Sequence, residues 1–69
     1  MTPVQCKMAR VALNLGVREL AALAKVAPGT VSRFEAGEEL KARTVDALQK
    51  SLEAAGVEFF NGTGVRLKL

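Results

Sequence analysis

The side chains able to make or break covalent bonds are few. The 69 residues include no histidine, tyrosine or tryptophan, and Cys6 is the single cysteine. A nucleophilic thiol needs a base within hydrogen-bond reach, and no histidine exists to supply one. A structural zinc needs several thiolate or imidazole ligands, which one cysteine cannot provide. No glycine-rich phosphate loop is present. No enzymatic activity, metal or other cofactor is therefore expected. The chemistry on offer is recognition, and it concentrates in Pro28-Gly29-Thr30-Val31-Ser32-Arg33-Phe34-Glu35-Ala36. Wound as a helix at about 100° per residue, this run puts Val31 and Phe34 on one side. Gly29, Ser32, Arg33 and Ala36 fall on the other. Exposed helix faces are usually loaded with Glu and Lys, so three small residues and one arginine suit close approach to another surface.

The charge distribution points to a polyanion. Net charge is +3, and residues 1–43 carry seven cations against four acids, while residues 44–69 carry three against three. All of the excess lies in the part that contains the sparse helix face. An isolated thiol fits a reducing compartment. No signal-peptide pattern and no apolar run of about 20 residues is seen, so the setting expected is cytoplasmic, without a membrane partner.

Several elements must hold that face in place. Thr2-Pro3-Val4-Gln5 reads as a capped helix start, with Thr2 and Gln5 at capping-box spacing. Val4, Met8, Val11, Ala12 and Leu15 then form the apolar stripe, and Gly16 closes the helix. A second helix runs over 17–24 with Val17, Leu20, Ala21 and Ala24 inward. Lys25-Val26-Ala27 leaves room only for a tight turn. Pro28 opens the third helix and Gly37 ends it. A fourth runs from about Ala42 to Ala55, with Val45, Leu48, Leu52 and Ala55 inward and Gly56 as its stop. Beyond it the period changes. Val57-Glu58-Phe59-Phe60 and Val65-Arg66-Leu67-Lys68-Leu69 flank the turn-rich Asn61-Gly62-Thr63-Gly64, which predicts a β-hairpin.

The stretch from Gly16 to Gly37 resembles the helix-turn-helix of the Cro and lambda-repressor-like family (the xenobiotic-response-element type). Leu20-Ala21, Val26, Thr30-Val31-Ser32 and the closing Phe34-Glu35-Ala36-Gly37 carry the resemblance. With the flanking helices it covers residues 2–55. It implies a mainly α fold: a four-helix lambda-repressor-like domain over residues 1–56, its helix-turn-helix unit at 17–36, followed by the hairpin at 57–69. It implies a transcriptional regulator, in the first instance a repressor, that binds double-stranded DNA with the third helix in the major groove. By position, Pro28, Gly29, Ser32 and Arg33 would meet bases, and Arg18, Thr30, Lys41 and Arg43 would meet phosphates. Of these only Arg33 can bond a base bidentately, most naturally guanine O6 and N7. Arg10 and Glu35 would form a partly buried ion pair bracing the first helix on the third. Breaking such a pair costs about 3–5 kcal/mol where it is buried.

Three positions depart from the family pattern. Lys25 stands where glycine is common, and Ala27 and Gly16 offer no hydroxyl to cap the helices they precede. One unit spans about four or five base pairs, so a homodimer on paired half-sites is expected. The hairpin, through Val57, Phe59, Phe60, Val65 and Leu67, is the candidate interface; the alternative is that it folds back on its own fourth helix. A rival function also stands: a protein-interaction module, such as an antitoxin or an anti-activator, built on the same fold.

Overall fold

A computed structural model describes residues 1–68. Four helices precede a two-stranded antiparallel hairpin: α1 Pro3–Ala12, α2 Val17–Ala24, α3 Pro28–Glu35, α4 Ala42–Ala55, β1 Val57–Phe60 and β2 Gly64–Leu67. The mainly α class and the terminal hairpin are as expected. None of the described helices is long and apolar enough to cross a membrane.

The start of α1 follows from its first residues. Thr2 Oγ1 accepts from the Gln5 N–H at 3.2 Å, and Gln5 Oε1 accepts from the Thr2 N–H at 2.9 Å. The end differs from expectation. Asn14, not Gly16, takes the left-handed conformation (φ +59°), so the helix stops at Ala12. Asparagine visits that region at small cost, which lets the chain turn two residues sooner. Gly16 becomes the N-cap of α2 instead, its N–H donating to Glu19 Oε1 at 2.6 Å. Lys25 ends α2 at φ +59°, the strained conformation its position implied, which costs about 1 kcal/mol.

The inward face of α1 is not the expected stripe. Gln5, Cys6 and Ala9 are buried, whereas Val4 and Val11 are 64% and 61% exposed and Ala12 is also exposed. Cys6 and Ala9 are small, which brings α1 close to its neighbours, and Gln5 enters the interior because every polar atom it carries is bonded there. Hydropathy ranking alone favours the wrong side. The other helices follow their stripes: Leu20 and Ala21 from α2, Val31 and Phe34 from α3, and Leu48 and Leu52 from α4 form one core with Cys6, Ala9 and Val57. Each fully buried leucine contributes about 1.5–3 kcal/mol. Ala55, expected inward, is exposed.

The hairpin pairs Val57 with Leu67, Glu58 with Arg66, Phe59 with Val65 and Phe60 with Gly64. Its turn is one residue shorter than expected, because Gly64 belongs to β2; Leu69, expected in the second strand, lies outside the described residues. The hairpin does fold back on its own chain, β2 against α1 and β1 against α4. Val57 is fully buried, and Phe59 and Val65 pack on the core. Gln5 ties the hairpin to α1: its Nε2 donates to Gly64 O at 3.1 Å and Phe60 O at 3.3 Å, while Thr2 Oγ1 donates to Gly62 O at 3.1 Å.

Candidate nucleic-acid interface

The α3 helix owes its aim to two buried anchors. Val31 is fully buried and Phe34 is 5% exposed, so the opposite side of this eight-residue helix must face outward. Pro28, Gly29, Ser32, Arg33 and Ala36 are all exposed, and Thr30 is half-buried. The hairpin packs on α1 and α4, and it leaves the outer face of α3 uncovered. No side chain caps the first turn of α3, because Ala27 has none to offer.

A partly buried ion pair locks α3 to α1. Arg10 Nε donates to Glu35 Oε2 at 2.8 Å and Arg10 Nη2 to Glu35 Oε1 at 2.9 Å, while Nη1 donates to Leu15 O at 3.0 Å. This two-pronged geometry fixes orientation as well as energy. The hydrogen bond that Arg10 donates to Glu35 raises the Arg10 pKa, outweighing the burial that opposes it. Cys6 shares the same carboxylate, its Sγ donating to Glu35 Oε2 at 3.5 Å. Burial, reinforced by the Glu35 charge, pushes the thiol up to about 12. Such a thiol stays protonated and inert at neutral pH. Among the described residues no group of acidic, cysteine or histidine side chains is placed to hold a metal ion.

Compared with known proteins, the chain matches no family model and no curated protein.

The remaining expected phosphate contacts are all accessible. Arg18 is exposed in the first turn of α2, Lys41 is the exposed N-cap of α4, and Arg43 is exposed one residue inside α4. Among the described residues none of these three forms an ion pair within 4.0 Å, unlike Arg10, Arg33, Lys50 and Arg66. Two acidic residues sit beside the expected DNA contacts, and for Arg33 an exposed pairing with a glutamate was the alternative its sequence left open. Glu19 brings its carboxylate to the N-terminus of α2, next to Arg18 in sequence; the Gly16-to-Glu19 spacing of a half capping box could have signalled it. Glu38 pairs with Arg33, Nε to Oε2 at 3.4 Å, with both side chains about half exposed. An exposed pair of this kind contributes about 0–1 kcal/mol to folding stability.

The proposed interface between copies needs revision. Val57 cannot be an interface residue because it is wholly inside the core, and Phe59 and Val65 are partly buried against it. Phe60 and Leu67, each 40% exposed, remain accessible. Arg66 stacks over the Phe60 ring at 5.1 Å and pairs with Glu58, giving that side of the hairpin a polar cover.

Proposed function

We propose that the protein is a sequence-specific DNA-binding regulator that sets α3 in the major groove, acting as a repressor by occupying its site. The observation that carries this reading is the sparse outer face of α3, exposed and uncovered, with unpaired cations on the neighbouring elements. A helix bearing Pro28, Gly29, Ser32, Arg33 and Ala36 outward can approach base edges closely, and the groove admits one helix of that width. Pro28, Gly29, Ser32 and Arg33 take the base edges, with Arg33 the one bidentate reader. Arg18, Thr30, Lys41 and Arg43 take phosphates. Because so few side chains can bond bases, the shape of the duplex supplies much of the selectivity. Two copies bind paired half-sites, in contact through the exposed part of the hairpin around Phe60 and Leu67.

A second reading, binding of a protein partner by the same fold, is favoured by one observation: the exposed apolar pair Val4 and Val11 on α1. Salt separates the two. Duplex binding that engages several phosphates weakens steeply as salt rises, and each lost phosphate contact makes the log–log slope shallower by about 0.9. Fluorescence anisotropy with a labelled random duplex, from low to moderate salt, is expected to show this dependence. Lys41→Ala and Arg18→Ala are each expected to reduce the slope by about one. Absence of binding at low salt removes the DNA reading.

A further inference from the structure

The geometry points to Glu38 as the positioning residue that aims Arg33 at a guanine, an inference that rests on the DNA-binding reading above. The end of α3 places the two side by side through the backbone. Gly37 takes a positive φ of +100°, its N–H donates to Phe34 O at 3.0 Å, and the Glu38 N–H donates to Arg33 O at 3.0 Å. This is the paired closure of a helix that brings its antepenultimate residue against the second residue beyond its cap. Those two positions usually hold an apolar contact. Here they hold Arg33 and Glu38, with Nε 3.4 Å from Oε2. The partner is thus delivered by the chain path rather than by two long side chains finding each other.

The other end of the guanidinium is shaped by Gly29. A β-carbon at position 29 would lie 3.3 Å from Arg33 Nη1, closer than side chains normally tolerate. Helical side chains lean towards the N-terminus, so Arg33 runs back along α3 over Gly29, four residues earlier. Its Nε lies in the ion pair with Glu38, and no hydrogen bond among the described residues engages its two terminal nitrogens. Those nitrogens are what a guanine requires, because O6 and N7 accept from two parallel donors. Glu38 also carries a negative charge into a site that meets phosphates, so it weakens binding to every sequence while sharpening the choice among them.

Two variants separate orientation from charge. Glu38→Gln keeps a polar neighbour for Nε and drops the charge; Glu38→Ala drops both. Dissociation constants are measured by anisotropy at low salt for two duplexes. One is the preferred sequence from a random-duplex selection; the other is identical except that 7-deazaguanine, which lacks N7, replaces the guanine read by Arg33. The wild type is expected to prefer the first duplex by about tenfold. Glu38→Gln should bind both about two- to threefold more tightly and keep the preference. Glu38→Ala should also bind both more tightly, but with a preference reduced to about twofold. An unchanged tenfold preference in Glu38→Ala, with binding intact, overturns the inference alone. Failure of the wild type to bind any duplex removes the DNA-binding reading and this inference with it.

Discussion

Cys6 shows how a single contact decides what a residue can do. It sits fully buried on α1 with its thiol directed at Glu35, and burial is the larger reason that its pKa is pushed up to about 12. An unfolded thiol ionises near 8.5. Between these values the unfolded chain has lost a proton that the folded chain keeps, so folding stability falls as pH rises. This contribution is fully present below pH 8.5 and is gone above about 12. Urea denaturation at pH 8 and pH 10 should show a steeper loss for the wild type than for Cys6→Ala. A thiol-specific chromogenic reagent should meanwhile react with the native protein only at the rate of its opening. Arg10 and Glu35 were legible from their positions in the helix-turn-helix resemblance. The third member, Cys6, was not, because nothing in a lone cysteine says which side of its helix faces inward.

At the scale of elements, punctuation in the sequence was informative where glycine or proline alone could serve. Pro28 opens α3, Gly37 leaves it at positive φ, and Gly56 ends α4 at φ +120°. It misled where another residue could do the same work, as Asn14 does in ending α1. The inward side of α1 was the larger miss. That helix is apolar on two sides, and the choice between them was made by packing: small Cys6 and Ala9 fit the crossing, and Gln5 is accepted inside because the hairpin supplies its partners. Periodicity cannot register a partner some 59 residues away. The missing cap of α3 was legible, and it gives a clean prediction. Ala27 has extended backbone geometry (φ −70°, ψ 145°) that a serine can adopt unchanged. Ala27→Ser should stabilise the fold by about 1 kcal/mol, raising the thermal midpoint by about 4–8 °C, as read by circular dichroism.

For the whole molecule, the position of Val57 changes how self-association must be tested. Cutting the chain after Ala55 would remove a core side chain along with the hairpin, and any change in assembly would then report lost folding. The paired substitution Phe60→Ser and Leu67→Ser touches residues that are 40% exposed. Sedimentation equilibrium should show weaker dimerisation for that variant with its helical circular dichroism spectrum retained, and undiminished dimerisation would exclude Phe60 and Leu67, which lie on opposite faces of the hairpin, as the contact. The bond from Gln5 to Gly64 has a further effect, on the timing of folding. The first helix and the final strand complete each other, so a ribosome that has delivered residues 1–56 has released a chain whose Gln5 amide lacks its hairpin partners. Synthesis proceeds at about 5–20 residues per second while a helix relaxes within about a microsecond. The nascent chain therefore waits, with its secondary structure forming and dissolving many times. Its Gln5 amide gains that partner only when Gly64 has cleared the exit tunnel.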